Sequence, residues 1–313
     1  MSESLLHALK SQRVVVMDGA MGTELDKLGT RISSKDWVAS TIGAAKDLKA
    51  IHRAYASAGA EIHIANTFAS SKHTLGSVGL EYAFEKINRE AVSICRKAVN
   101  GNKNVKSWIA GSISTYVLGG DRRGLPKLST LYNNSKEQAK LLLGEGCDML
   151  VLETLHDLDT SLTLITAAST TGLPISIGLT VTSDENDQPI LIGAKTIEDQ
   201  NRLALRNILP QILDAIPLDY PWILTIMHST LRDTDSSIKI LAEMWDGMIG
   251  VYPNQGIWHK DSGWEHSSNC EPKEFVEHAK SWSNEGASFI GGCCGFGPDH
   301  IKALKNWVSN KFS

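Results

Sequence analysis

Short apolar runs recur along the chain, and most are followed by a stretch with helical periodicity. The runs occupy residues 14–17, 61–66, 108–113, 149–152, 174–181, 222–227, 248–252 and 289–292. They lack a strict apolar/polar alternation, so each reads as a parallel strand buried on both faces. Amphipathic patterns lie between them, over residues 44–58, 84–99, 135–143, 196–215, 237–245 and 272–282. A last helix is expected after Gly297-Pro298-Asp299-His300, where the proline suits a first helical turn. Eight strands alternating with helices predict an α/β fold, a (β/α)8 TIM barrel. A doubly wound open sheet is the competing architecture. It is disfavoured because no Gly-x-Gly-x-x-Gly follows the first run. No Pro/Gly/Ser-rich linker or low-complexity tract cuts the chain, so residues 1–313 are read as one domain.

Composition narrows the function classes. A chain of 313 residues, 42% hydrophobic, can bury one large core. A net charge of −4 gives neither a basic footprint for nucleic acid nor a polybasic patch for a membrane surface. No apolar run reaches membrane-spanning length. Residues 1–10 lack the apolar core and cleavage site of a signal peptide. Five cysteines without framework spacing fit a reducing cytoplasm, where thiols act as ligands or nucleophiles. A cytoplasmic protein is therefore expected.

In a barrel, reactive groups collect at the C-terminal ends of the strands. The polar residues closing the apolar runs therefore carry the candidate chemistry. The eighth run ends in Gly291-Gly292-Cys293-Cys294-Gly295. Adjacent cysteines pair poorly with each other, because a disulfide across one peptide bond is strained. Two thiols between glycines at the end of a buried strand point to a soft-metal site. The sixth run ends in His228, the first ionisable group after a long apolar stretch and a plausible zinc ligand. A buried core histidine is the other reading. Asp18 closes the first run, either at the barrel mouth or as an N-cap for the next helix. Glu153 follows Met149-Leu150-Val151-Leu152 and is costly to bury without a cation, so it faces either a ligand or a structural arginine. Asn254, in Tyr252-Pro253-Asn254-Gln255-Gly256, offers a carbonyl oxygen, although turn formation explains that segment equally well. Cys95 and Cys147 read as core. Cys270, near His266 and Asn269, reads as an ordinary exposed thiol or, failing His228, as a mobile ligand. Gly119-Gly120-Asp121-Arg122-Arg123-Gly124 reads as a solvated loop, with a lid over the mouth as the alternative.

Taken together, these residues resemble the homocysteine S-methyltransferase family. That family includes S-methylmethionine-dependent and betaine-dependent enzymes and the homocysteine domain of cobalamin-dependent methionine synthase. The resemblance runs from about Val14 to the last helix. It rests on Asp18-Gly19-Ala20-Met21-Gly22-Thr23-Glu24, the segment around Trp37, Glu153-Thr154, Tyr252-Pro253-Asn254 and Gly291-Gly292-Cys293-Cys294-Gly295. The family fold is a (β/α)8 barrel, in agreement with the strand count. The resemblance implies a zinc-dependent enzyme acting on small molecules, homocysteine and a methyl donor, with no nucleic-acid or membrane partner. It implies that Cys293 and Cys294 bind Zn2+ and that Asp18 and Glu153 hold the homocysteine ammonium. Backbone groups near Gly19 and Thr67 would hold the carboxylate. Asn254 matches a turn that in some relatives supplies an oxygen ligand to the metal.

Two departures matter. The family's third ligand is a cysteine ending strand six, and here His228 falls on its position, after Thr225-Ile226-Met227. Two cysteines and one histidine remain a sound zinc set. With one negative charge fewer, the metal becomes a stronger Lewis acid and its bound thiolate a weaker nucleophile. The betaine-dependent branch places tyrosines beyond strands two and four, where this chain has Phe68-Ala69-Ser70-Ser71 and Thr154-Leu155-His156. A sulfonium donor such as S-methylmethionine is therefore expected over betaine, with Trp37 and Phe68 offering aromatic faces to a methyl cation. The rival classes are a zinc-dependent barrel hydrolase and a non-catalytic thiol-binding relative. Adjacent thiolates suit a soft sulfur ligand better than water activation, which disfavours the hydrolase.

Overall fold

A computed structural model describes residues 4–11, 13–29, 40, 43–100, 106–117, 124–194, 196–217, 220–259, 263–265 and 270–311. Eight parallel strands form its centre: β1 (Val15–Val16), β2 (Ile62–Ala65), β3 (Trp108–Ser114), β4 (Met149–Leu155), β5 (Ile175–Leu179), β6 (Trp222–Met227), β7 (Met248–Tyr252) and β8 (Ala287–Ile290). They pair in the order β1, β8, β7, β6, β5, β4, β3, β2. A parallel bridge between Met17 and Ile62 closes the ring. It is reinforced by Asp18 N–H to Ile62 O at 2.9 Å and Glu61 N–H to Val16 O at 2.7 Å. The fold is thus the barrel that the strand count predicted.

The unbroken apolar character of the runs follows from what lies on each side. Val15, Met17, Ile62, Trp108, Ala110, Met149, Val151, Ile223 and Phe289 fill the interior. Val14, Val16, Ile109, Leu150, Leu152, Ile175 and Leu224 turn outward onto the helices. Below the strands, the helix Leu5–Lys10 adds Leu5, Ala8 and Leu9 to the interior cluster and stoppers the N-terminal end of the barrel. The C-terminal ends carry the polar groups.

Some element boundaries differ from the sequence reading. The amphipathic stretch 196–215 is two helices, Ile197–Arg202 and Leu205–Ala215. Between them Ala204 bridges to Ile190, and Leu203 O accepts the Leu191 N–H at 2.9 Å. The chain leaves helical geometry there to extend a small hairpin, Val181–Ser183 with Pro189–Leu191, that follows β5. The helix expected over 135–143 begins earlier, at Leu128, because Leu131 is already part of the core. The helix expected over 237–245 likewise starts at Leu231, after Thr230 caps the Asp233 amide. The segment around Trp37 and residues 118–123 lie outside the described residues. No described helix is long and apolar enough to cross a membrane.

Candidate active site

Three sulfur and nitrogen donors converge at the C-terminal mouth. His228, Cys293 and Cys294 each offer a ligand atom within 4.8 Å of the other two, and all three remain half-buried. The His228 Nδ1 and Cys293 Sγ are 3.5 Å apart. Backbone geometry aims these side chains. His228 has φ +50°, a left-handed conformation uncommon outside glycine, and its N–H donates to Tyr252 O at 3.2 Å. Strain of this kind is held by its surroundings and tends to mark functional positions.

The two cysteines are clamped by the loop after β7. Cys293 N–H donates to Pro253 O at 2.8 Å, and Gln255 N–H donates to Cys294 O at 2.8 Å. The Asn254 Oδ1 accepts the Cys294 N–H at 3.0 Å. That bond helps fix the thiol pair and leaves the second lone pair of the Asn254 oxygen, the atom expected as a metal ligand. The glycines around the pair have separate reasons. Gly292 donates to Asp18 O, and a Cβ there would sit 2.3 Å from the Phe296 side chain. Gly295 adopts φ +87°, which frees the turn into the final helix.

Facing this cluster are two buried carboxylates. Glu153 lies inside β4 rather than at its end. Between Leu152 and Leu155 the β4–β5 register slips. Thr154 has φ +56° there, an outlier for a β-branched residue. Such a bulge re-aims a side chain. The Ser112 hydroxyl donates to Glu153 Oε2. Burial pushes the Glu153 carboxyl up to about 7, while Ser112, His228 and Tyr252 pull it the other way. Asp18 is also buried, and its Oδ2 accepts the Ile64 N–H at 3.0 Å. Desolvation raises its pKa well above the ordinary carboxylate value, the Ile64 bond opposes this, and the nearby Glu153 adds to it.

No lysine or arginine among the described residues compensates either group. Elsewhere the fold handles a buried acid differently. Glu61 is paired with Arg13 at 2.8 Å and Lys305 at 3.1 Å. The structural-arginine reading of Glu153 therefore fails among the described residues, and the mouth holds two acids with no lysine or arginine, the His228 imidazole being the one basic group felt by Glu153 among the described residues.

A polar network backs this wall. Thr67 Oγ1 donates to Ser112 O at 2.8 Å and accepts the Ser112 N–H at 2.9 Å. The Thr67 N–H itself turns back onto Ala65 O at 2.6 Å. Gln138, reaching in from the helix Leu128–Gly144, donates to Thr67 O at 3.2 Å and to Asn88 Oδ1 at 3.1 Å. Gly19 passes directly under the Phe296 carbonyl, where a Cβ would lie 2.2 Å from the oxygen.

Asp18, Gly19, Thr67, His228, Asn254, Cys293 and Cys294 lie in the turns that follow the strands, and Glu153 lies within the last residues of β4. Cys270 departs from expectation. It is buried, its N–H bonds Gln255 Oε1 at 3.0 Å, and its carbonyl accepts from Gln255 Nε2 at 3.2 Å and pairs with His300 Nε2 at 2.8 Å. With its backbone so held and its thiol among core side chains, it is neither exposed nor in the donor cluster. His266 and Asn269 lie outside the described residues. Cys95 and Cys147 are core, as expected. Sequence reasoning missed Ser112 and Gln138. A serine within the apolar run 108–113 was the available signal for the first, and nothing local marks the second.

The comparisons agree with this geometry. The family model described as homocysteine S-methyltransferase matches residues 15–308. The homocysteine S-methyltransferase YbgG of Bacillus subtilis (strain 168) is 26% identical over 333 residues, covering 96% of each chain. The structure of the homocysteine methyltransferase MmuM from Escherichia coli in its metallated form superposes with a TM-score of 0.76 at 21% identity, covering 96% of this chain and 99% of that one. The carboxyl transferase domain of Rhizobium etli pyruvate carboxylase shares the fold more loosely, with a TM-score of 0.53 at 11% identity, covering 98% of this chain and 49% of that one.

Proposed function

The chain belongs to the homocysteine S-methyltransferase family, and from that premise we propose that it moves a methyl group from a sulfonium donor of the S-methylmethionine class to the homocysteine thiol, giving methionine. The observation that carries this reading is the pairing of two sites at one mouth. A donor cluster suited to sulfur faces two buried carboxylates that no described lysine or arginine compensates. An α-amino thiol supplies both missing partners, an ammonium for the acids and a sulfur for the cluster.

Two thiols and an imidazole, all half-buried, fit a catalytic zinc site that keeps one position open. His228, Cys293 and Cys294 would hold the zinc, which would supply Lewis acidity that favours the thiolate form of the substrate thiol. The chain's own residues do the remaining work. Asp18 and Glu153 accept the ammonium N–H groups, while Ser112 keeps Glu153 aimed at them. Asn254 and the Pro253 carbonyl keep the two cysteines in place. The buried Met227 and Tyr252 help line the interior near the mouth and limit water.

Transfer is an in-line displacement. The homocysteine sulfur bonds the methyl carbon as the donor's carbon–sulfur bond breaks, and the donor leaves as a neutral thioether. No base is needed at the carbon. Alignment of sulfur and methyl within about 3–3.5 Å supplies much of the rate. Phe68 and Tyr116, which follow β2 and β3, pack ring to ring at 5.3 Å. An aromatic face there would attract the onium group of a sulfonium or a quaternary ammonium donor alike, so the preference for a sulfonium rests on the missing tyrosines after β2 and β4.

A donor screen tests the proposal. Zinc-loaded protein and homocysteine are incubated with S-methylmethionine, S-adenosylmethionine or glycine betaine, and methionine is followed by mass spectrometry. Turnover is expected with a sulfonium donor. Zinc and homocysteine bound without methionine from any donor would favour a binding-only relative.

A further inference from the structure

Asp18 has a second set of neighbours, away from the barrel mouth. His52 lies on the helix Ala45–Ala58, and His63 lies on β2 between Ile62 and Ile64, both of which pack with the barrel interior. One ring nitrogen from each histidine and one Asp18 carboxylate oxygen all lie within 4.8 Å of one another. All three residues are buried, at 0%, 0% and 1% exposure. Neither His52 ring nitrogen has a hydrogen-bond partner among the described residues, and His63 has only a loose contact with the Ala60 backbone. Buried polar atoms are normally paired, so unpartnered imidazole nitrogens around one carboxylate need an explanation.

The chemistry of the three groups limits the answer. Burial lowers His52 to about 3 and His63 to about 4, so both rings are neutral at physiological pH, each with one N–H and one lone pair. With the tautomers that turn both ring lone pairs toward the Asp18 carboxylate, a single water is an incomplete guest. It has two protons to give, so one acceptor stays unpaired. A cation accepts all three. Two neutral imidazoles and one carboxylate form a nitrogen/oxygen set for zinc, cobalt(II), manganese(II) or iron(II), distinct from the sulfur-rich set at the mouth.

We propose that Asp18, His52 and His63 form a second divalent-cation site, in the layer between the barrel and its helices. A consequence follows, and it rests on the reading of Asp18 as an ammonium acceptor. A carboxylate engaged by a divalent cation attracts an ammonium less, so cation in this site opposes homocysteine. Excess zinc would then restrain the enzyme.

The site is tested apart from catalysis by removing the thiols. The Cys293→Ala/Cys294→Ala protein is titrated with cobalt(II) and with zinc under equilibrium dialysis. One equivalent is expected to bind, with cobalt d–d bands but no thiolate-to-metal charge transfer. Adding His63→Leu or, separately, His52→Gln should abolish that equivalent. Thermal melts establish that each variant is folded, and two different substitutions guard against one that is not. A crystal of the wild-type protein grown with zinc should show anomalous density among the three residues. Metal binding by the double-cysteine variant no greater than by the His63→Leu version, or a water without anomalous signal at that place, overturns the site. The consequence is read in the wild-type enzyme, where excess zinc should raise the KM for homocysteine with kcat unchanged, and His63→Leu should remove the rise. A filled site with no change in KM overturns the ammonium role of Asp18 and leaves the site standing.

Discussion

Replacing Glu153 with glutamine keeps the shape of the side chain and removes its charge. The Ser112 hydroxyl can still donate to the amide oxygen, so the bond that aims the side chain survives. In the folded protein Glu153 titrates at about 7, raised from an ordinary 4.5 chiefly by burial. Below pH 4.5 the group is neutral in both folded and unfolded chains and carries no penalty. Between 4.5 and 7 the unfolded chain has released the proton while the folded chain retains it, so stability falls as pH rises. Above 7 the loss is complete. At about 1.36 kcal/mol per pH unit, it amounts to roughly 3 kcal/mol. The E153Q protein lacks this loss. In denaturant melts of metal-free protein, the two should match near pH 4.5, and the variant should be the more stable at pH 8 by up to roughly 3 kcal/mol. A bound divalent cation favours the carboxylate, so zinc should narrow the gap. Homocysteine affinity should move the other way. Loss of a charge-assisted hydrogen bond costs about 1.5–3 kcal/mol, on the order of tenfold to a hundredfold in Kd. Identical pH dependence of stability in both proteins would refute the argument that burial raises the Glu153 carboxyl.

The D18N variant should raise the homocysteine Kd by a similar order while keeping the mouth's zinc, measured by calorimetry beside metal analysis. The H228A variant should lose most zinc, and H228C should retain it and hold it with steeper pH dependence, because a free thiol titrates about two units above imidazole. Alanine at Cys270 should leave zinc content unchanged, since that thiol is buried outside the donor cluster. Gln138→Leu should destabilise the fold by about 0.5–1.5 kcal/mol in a denaturant melt, because Thr67 O and Asn88 Oδ1 each lose one hydrogen bond but keep Ser70 as a partner.

The barrel was legible because parallel strands sandwiched between an interior and a helical layer must be apolar on both faces. Runs such as 222–227 and 248–252 therefore coincide with β6 and β7. The site was legible for the same reason. Asp18, Glu153, His228 and the Cys293-Cys294 pair stand out because each interrupts or ends such a run. What stayed hidden is tertiary. That Ala204 leaves the helix follows from its pairing with Ile190, which no local propensity encodes. The clamp of Asn254 on the Cys294 amide joins residues 40 apart in the chain. Gln138 reads as one polar position in an amphipathic helix, and its role appears only where the Thr67 carbonyl faces it. His63 did interrupt an apolar run, yet its meaning depends on the unpartnered His52 across the helix layer.

The account turns on homocysteine sulfur entering the cluster of His228, Cys293 and Cys294. Zinc K-edge absorption spectroscopy on the loaded protein, with and without homocysteine, tests that directly. Metal is loaded to no more than one equivalent, so that the mouth site dominates. Free protein should show two sulfur neighbours at about 2.3 Å and nitrogen or oxygen neighbours at about 2.0–2.1 Å. Homocysteine should add a third sulfur at about 2.3 Å in place of a light-atom ligand. A spectrum unchanged by saturating homocysteine, or one with no sulfur neighbours at all, would contradict the account.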